Sequence, residues 1–193
     1  SYKPAFEGDS HQVNLAIEAL VAAKRPVFYV GGGVIQADAE DSLRALVKAA
    51  NVPVTSTLMG LGAYPGSDPQ SLGMLGMHGT YEANMTMHET DLIFALGARF
   101  DDRVTNSPDK FSPKATIVHL DVDSASVDKI IRADIALVGD AGWALNALWD
   151  AYQARDAERD PSAKEKQQQD MAKWWEQIDQ WRSAHGLNHN MQP

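Results

Sequence analysis

The chain contains no cysteine, which excludes disulfide bonds and thiolate metal sites. It also lacks a long hydrophobic segment, since its longest apolar runs fall far short of the roughly 20 residues of a transmembrane helix. No block of lysine and arginine is present, and the formal net charge of the 193 residues is −9. We therefore expect neither nucleic acid nor an anionic membrane as a partner, and we expect a cytoplasmic protein.

Several catalytic patterns are missing as well. The sequence has no H-E-x-x-H, no G-x-x-x-x-G-K-[ST] and no evident serine- or cysteine-based triad. Its glycine triplet, Gly31 to Gly33, matches the dinucleotide fingerprint poorly because the sixth position holds Gln36. Thr57, rather than a carboxylate, follows the next predicted strand. The sequence thus disfavours a standard NAD site and predicts neither a catalytic nor a metal-binding residue.

Short apolar runs alternate with segments of helical spacing along the chain. The predicted strands are 27–30, 53–56, 92–96, 116–120 and 135–138, and the predicted helices begin near Ser10 (the expected N-cap), 38, 81 and 141. This alternation is typical of right-handed β-α-β crossovers. We predict an α/β fold with a doubly wound, mainly parallel, Rossmann-like sheet of about five or six strands and helices on both faces.

The predicted organisation has three parts: a linker over residues 1–9, the α/β domain over 10–153, and a helical extension over 154–193. In the extension, a charged and glutamine-rich segment precedes Trp174, Trp175, Ile178 and Trp181 at helical spacing. Large apolar groups of this kind need a partner surface. The sequence leaves two partners open, which are the chain's own core and a neighbouring domain or subunit.

Small and polar residues follow the predicted strands directly. Because the carboxyl ends of parallel strands meet at one edge of a sheet, we expect these residues to lie together and to bind a ligand. They are Gly31, Gly32, Gly33, Thr57, Gly97, Ala98, Arg99, Asp121, Gly139 and Asp140.

The stretch from Gly76 to Arg103 combines two such features. Its first half, GMHGT, is a glycine-containing loop that immediately precedes a predicted helix. Its backbone N–H groups are therefore predicted to face an anion. Its second half is a buried strand followed by a charged cluster, Arg99, Asp101, Asp102 and Arg103. The planar arginine fork suits phosphate or the polar edge of a flavin. We interpret the GMHGT loop as a phosphate cradle and the charged cluster as a polar clamp.

Three strings in this region resemble one family. STLMGLGAYP, LGMLGMHGTYEANMTMHETDLIFALGARFDDRVT and IVHLDVD are similar to the central domain of acetolactate synthase (acetohydroxyacid synthase), a thiamine-diphosphate enzyme of branched-chain amino-acid biosynthesis. The resemblance covers roughly Arg25 to Asp150. The GMHG and RFDDRVT strings are far more specific than the glycine triplet.

The resemblance implies that this chain is the FAD-binding middle one of three α/β domains. The family's flavin contacts fall on Gly32, Thr57, Leu58, Leu75, Gly76, Met77, His78, Gly97, Arg99, Asp101, Asp102, Arg103, Asp121, Val122, Asp140 and Ala141. FAD in this family has a structural, non-redox role. Thiamine diphosphate and Mg²⁺ belong to the other two domains, which condense pyruvate with pyruvate or 2-oxobutyrate.

The resemblance also implies partners that the chain needs for activity. The other domains of the same polypeptide, further copies of it and a small regulatory subunit would complete the enzyme, and this chain alone is expected to be inactive. Two alternatives stay open. One is the equivalent domain of a thiamine-dependent oxidase whose flavin transfers electrons, and the other is a non-enzymatic module that docks a partner through its tryptophan helix.

Overall fold

The computed structural model describes residues 7–100, 112, 114–127 and 129–185. The strands are β1 (Pro26–Val30), β2 (Val54–Ser56), β3 (Ser71–Met74), β4 (Leu92–Leu96), β5 (Thr116–Asp121) and β6 (Ile135–Val138). The helices are α1 (Ser10–Ala22), α2 (Gly32–Gln36), α3 (Glu40–Ala50), α4 (Tyr81–Glu89), α5 (Ala141–Glu158) and α6 (Pro161–His185). A single 3-10 turn spans Leu58–Gly60 in these described ranges.

All strand pairs in the sheet are parallel, and the strand order is β3-β2-β1-β4-β5-β6. The chain first winds from β1 to β3 in one direction and then from β4 to β6 in the other. The direction therefore reverses between β1 and β4, where Phe28 lies beside Phe94 in the register. This is the doubly wound, Rossmann-like arrangement, so the fold predicted from the sequence is confirmed.

The sheet is buried on both faces because successive side chains in its central strands point to opposite sides. Phe28, Phe94 and Val118 belong to a core cluster that also contains residues of α1, α3 and α5. Tyr29 and Ile93 belong to a second cluster with Met87 of α4. Every residue of β1 and β4 is buried, as expected for continuous apolar runs between two helical layers.

The C-terminal helix α6 runs along the amino ends of β1, β2 and β3. The Trp174 indole donates to the Pro26 carbonyl at 3.0 Å, and the Trp175 indole donates to Asn51 at 2.9 Å. The Arg182 guanidinium donates to the Pro69 carbonyl, just before β3, at 3.2 Å. Trp174 and Ile178 are buried with residues of β3 and α4. The tryptophan helix therefore packs on the chain's own core.

The structure corrects some of the predicted details. The list of strands predicted from the sequence lacks β3. The cap of α1 is Asp9, whose side chain accepts from the His11 N–H, so the prediction of Ser10 was wrong. Helix α5 begins at the predicted position, Ala141, and continues to Glu158. The domain boundaries at residues 9 and 153 stay predictions.

Candidate functional site at the carboxyl edge of the sheet

The loops that follow β1 and β4 touch each other at the switch point of the sheet. A Cβ atom added to Gly31 would lie 2.2 Å from the Gly97 carbonyl oxygen, and one added to Gly33 would lie 2.9 Å from the Gly97 Cα. Gly97 also has a φ of +55°, which favours glycine. Glycine is required here because two backbones approach more closely than side chains allow.

The first of these loops is not a standard dinucleotide loop. The Gly31 N–H donates to the Leu96 carbonyl at 3.0 Å, and the Gly33 N–H donates to the Gly97 carbonyl at 3.1 Å. These two N–H groups are therefore used within the protein and are not open to a phosphate. Gly32 begins the five-residue helix α2 and lies against Met59. This geometry agrees with the poor match of the glycine triplet to the NAD fingerprint.

The loop after β2 presents apolar side chains at the same edge. Thr57 caps the 3-10 turn, because its hydroxyl accepts from the Gly60 N–H at 2.9 Å. Leu58 and Met59, the first two residues of that turn, have exposed fractions of 69% and 73%. Gly60 packs directly on β1, since an added Cβ atom would lie 2.2 Å from the Val30 carbonyl oxygen. The turn is thus fixed on the sheet while its large side chains face outward.

The loop after β3 has a similar division between a fixed backbone and an exposed side chain. Leu75 is buried, whereas Met77 has an exposed fraction of 79% and His78 is also exposed. The side chain of Asn84 holds Gly76 by accepting from its N–H at 3.1 Å and donating to its carbonyl at 3.0 Å.

The predicted open cradle of N–H groups in this loop is only partly available. The Gly79 N–H donates to the Gly76 carbonyl, and the Thr80 N–H donates to Met74. The Thr80 hydroxyl also accepts from the Ala83 N–H and thereby caps α4. Because these donors and the Gly76 N–H are satisfied internally, we correct the expectation that they face an anion.

The segment after β4 carries an exposed arginine between buried neighbours. Ala98 and Phe100 are buried, and Arg99 is exposed. Asp101, Asp102 and Arg103, the rest of the predicted polar clamp, lie outside the described residues.

One carboxylate ends β5 and another follows β6 at the same edge. Asp121 is buried and accepts from the Asp123 N–H at 2.9 Å, whereas Val122 is exposed. Asp140 caps α5, since its carboxylate accepts from the N–H groups of Gly142 and Trp143 at 2.9 and 3.1 Å. Ala141 is buried in the first turn of that helix. The role that the structure gives Asp140 is therefore that of a helix cap.

The predicted site residues that the structure describes thus follow β1, β2, β3, β4, β5 and β6 at one edge of the sheet. Sequence reasoning missed the Thr80 cap and the buried His119, whose ring nitrogen Nε2 lies 2.9 Å from the Ala98 carbonyl oxygen.

Within the part of the chain that the structure describes, no group of three or more histidine and carboxylate side chains is placed to hold a metal ion. No helix in the same part is long and apolar enough to cross a bilayer.

A titratable cluster lies outside the candidate site, between α3 and the loop before β3. A hydrogen bond to Asp68 raises the pKa of Lys48, and burial raises the pKa of the Tyr64 phenol. Burial alone would raise the pKa of Asp68, but the hydrogen bonds from Lys48 and the Gln70 N–H outweigh it, and the pKa is lowered. This cluster ties α3 to the loop before β3.

Comparison with known proteins identifies the family to which the chain is similar. Residues 13–148 match the family model described as the thiamine pyrophosphate enzyme, central domain. The chain is 47% identical over 196 residues to the acetolactate synthase isozyme 3 large subunit of Escherichia coli K12, covering 98% of this chain and 32% of that protein. It is 45% identical over 190 residues to an acetolactate synthase large subunit of Buchnera aphidicola from Schizaphis graminum, with the same coverages. It is 39% identical over 191 residues to an acetolactate synthase of Mycobacterium avium, covering 99% of this chain and 30% of that protein.

The chain therefore spans about a third of the length of these relatives. The family match covers most of the chain, including all six strands of the described sheet. The chain belongs to the family of thiamine pyrophosphate enzyme central domains.

Proposed function

We propose that this chain is the FAD-binding central part of an acetolactate synthase large subunit. The observation that carries the proposal is the exposure of large apolar side chains at the carboxyl edge, where an exposed arginine also lies. Leu58 and Met77 have exposed fractions of 69% and 79%, on the loops after neighbouring strands β2 and β3. Exposed apolar groups that border polar ones at a sheet edge are typical of a ligand site.

The residues at this edge suit the parts of FAD. The flexible thioether of Met77 and the side chain of Leu58 would cover an apolar ring system. Arg99, exposed on the turn after β4, would donate to the pyrophosphate through its planar guanidinium. The carboxylate of Asp121, at the end of β5, would accept from ribose hydroxyl groups. The remaining proposed contacts are Gly32, Thr57, Leu75, Gly76, His78, Gly97, Asp101, Asp102, Arg103, Val122, Asp140 and Ala141.

In the complete enzyme the flavin would have a structural, non-redox role. Thiamine diphosphate, with Mg²⁺, would supply the carbanion chemistry that condenses two 2-oxo acids, pyruvate with pyruvate or 2-oxobutyrate. The residues described above would hold FAD and would present their edge of the sheet to the thiamine-diphosphate-binding parts of the same polypeptide. We propose a cytoplasmic, homo-oligomeric enzyme with a small regulatory subunit, and a chain that is inactive without the other parts.

Of the three tryptophans on which the docking alternative rests, Trp174 is fully used within the chain. Trp174 has an exposed fraction of 2%, and its indole is satisfied by the Pro26 carbonyl. A side chain used in this way offers no surface to a partner.

The direct test is a titration of the purified chain with FAD, followed by flavin fluorescence. We expect saturable binding, and weaker binding of FMN, which lacks the AMP part and therefore the pyrophosphate, and of NAD, which lacks the flavin. Absence of saturable FAD binding would contradict the proposal that these residues form a flavin site of their own. Equal binding of FMN would contradict the roles given to Arg99 and Asp121.

A further inference from the structure

The turn after β4 is held in place at several points, although its exposed residue faces solvent. Gly97 donates its N–H to the Leu120 carbonyl at 3.0 Å and accepts from the Gly33 N–H at 3.1 Å. The next peptide carbonyl, that of Ala98, lies 2.9 Å from Nε2 of His119. Two neighbouring segments, α2 and β5, thus fix the turn by its backbone.

His119 reaches this turn from the middle of β5, where it pairs with Ala95 of β4 in the sheet register. Its side chain has an exposed fraction of 2%. Because a carbonyl oxygen can only accept a hydrogen bond, Nε2 carries the proton and donates to Ala98. A polar side chain buried between Val118 and Leu120 is costly unless such a bond compensates it.

The same imidazole also contacts the side chain that ends the turn. The rings of His119 and Phe100 meet edge to face with centroids 5.2 Å apart, and Phe100 in turn lies 5.7 Å from Tyr29 of β1. Phe100 has an exposed fraction of 5%. His119 therefore contacts the residues on both sides of Arg99, one by a hydrogen bond and the other by its ring.

The geometry points to His119 as a positioning residue for the arginine-bearing turn of the flavin site. This inference rests on the proposed function, because Arg99 is the group that would bind the FAD pyrophosphate. The Ala98 carbonyl and the Arg99 N–H belong to one planar peptide unit, so a bond that fixes the first also fixes the orientation of the second. A cation held in place before binding loses less conformational entropy when it meets its anion. Phe100 directly precedes Asp101 in the sequence. The residue that His119 contacts through its ring is therefore followed at once by the remaining residues of the predicted clamp.

Two substitutions separate the hydrogen bond from the ring contact. His119→Phe keeps an aromatic ring beside Phe100 and removes the donor, whereas His119→Gln keeps a donor and removes the ring. We expect His119→Phe to weaken FAD binding about tenfold, the loss that one buried hydrogen bond can cause. We expect His119→Gln to bind FAD within about threefold of the wild type. His88→Phe, on the exposed side of α4, is the matched control and should leave binding unchanged.

A second readout does not depend on FAD. Amide hydrogen exchange of a peptide that contains Arg99 and Phe100 should be about fivefold faster in His119→Phe than in the wild type, and unchanged in His119→Gln and His88→Phe. Unchanged exchange in His119→Phe would overturn the inference, whatever the outcome with FAD. Should His119→Phe fail to fold, His119→Leu removes the same donor with a smaller side chain and predicts the same faster exchange. If the wild type bound no FAD, the proposed function would fail, and the exchange data would still decide whether His119 orders the turn.

Discussion

The two ends of the parallel sheet are built from different chemistry. At the amino ends of β1, β2 and β3, the long side chains of α6 satisfy backbone carbonyls and bury large aromatic groups. At the carboxyl ends, glycines let the loops after β1 and β4 pack against each other, and large side chains such as Met77 face solvent. Side chains close one end, whereas backbone contacts close the other and leave large side chains such as Leu58 and Met77 exposed.

We expect this difference to separate stability from the proposed FAD binding within one domain. Substitutions at the amino end should change the free energy of unfolding and leave ligand affinity intact. Substitutions of the exposed side chains at the carboxyl end, here called the rim, should do the opposite. The glycines of the carboxyl end are the intermediate case, because they set both the backbone packing and the position of the rim.

The largest expected effect is at the amino end. Trp174→Ala removes a buried indole and leaves the Pro26 carbonyl without its donor, so we expect a loss of about 3–5 kcal/mol in the free energy of unfolding. Urea denaturation followed by circular dichroism measures it. Lys173→Ala, at the exposed neighbouring position, is the control and should change stability by less than about 0.5 kcal/mol. A loss of FAD affinity in a folded Trp174→Ala protein would break the separation between the two ends.

The next effect is at the glycine contact. Gly31→Ala places a methyl group 2.2 Å from the Gly97 carbonyl oxygen, so the loops after β1 and β4 must move apart. We expect a loss of about 1–3 kcal/mol in the free energy of unfolding together with weaker FAD binding. Gly66→Ala is the matched control, because an added Cβ atom there meets nothing within 4 Å. Normal FAD affinity in a destabilised Gly31→Ala protein would show that the glycine contact does not set the rim.

A smaller effect is expected at Asp140, where two variants distinguish a role in helix capping from a role in FAD binding. Asp140→Ala removes the cap of α5 and should cost about 0.5–2 kcal/mol, measured as a lower midpoint in urea denaturation. Asp140→Ser retains a capping oxygen and should restore most of that stability. If Asp140 also contacts FAD, both variants should bind it more weakly. Unchanged FAD affinity in both would leave Asp140 as a helix cap and remove it from the proposed contacts.

The smallest expected effect concerns the ion pair of Lys48 and Asp68, at the amino end between α3 and the loop just before β3. Because the folded pKa of Asp68 is lowered, the pair stabilises the fold above the ordinary carboxyl pKa, and this contribution is lost as the pH falls through the lowered value. Lys48→Met should therefore lower the melting temperature slightly at neutral pH and not in strong acid. Lys166→Met, at an exposed position of α6, is the control. An equal decrease at both pH values would contradict the role given to the pair.

Much of the sheet follows from local sequence. The five apolar residues of β4 and the four residues of β6 were predicted with the bounds that the structure has. Strand β3 was missed because Gly73, with a φ of +80°, interrupts it and only Leu72 within it is fully buried. Its pairing with β2 is also irregular in register. A short edge strand of this kind gives little hydrophobic pattern to recognise.

The candidate site was predictable in its position but not in its internal contacts. The strand ends of a parallel sheet meet by topology, so the sequence indicated Arg99 and Asp121 at one edge. The contact of Gly31 with Gly97 joins residues distant in the chain, and no local pattern reports it. His119 resembled an ordinary strand residue, since its partner is a backbone carbonyl, a group that every residue carries. The tryptophan helix showed an apolar face, but its acceptors at Pro26 and Asn51 became visible only in the structure.

The most direct test of the account compares FAD affinity and stability for one rim side chain. Calorimetric titration of FAD into the wild type and Arg99→Ala should show a Kd at least about tenfold higher in the variant, because a charge-assisted hydrogen bond to the pyrophosphate is lost. The free energy of unfolding should change by less than about 0.5 kcal/mol, since Arg99 is exposed. Arg44→Ala, at a surface position on α3, is the control and should bind FAD as the wild type does. Equal FAD affinity in the wild type and Arg99→Ala would contradict the assignment of the carboxyl edge as the flavin site.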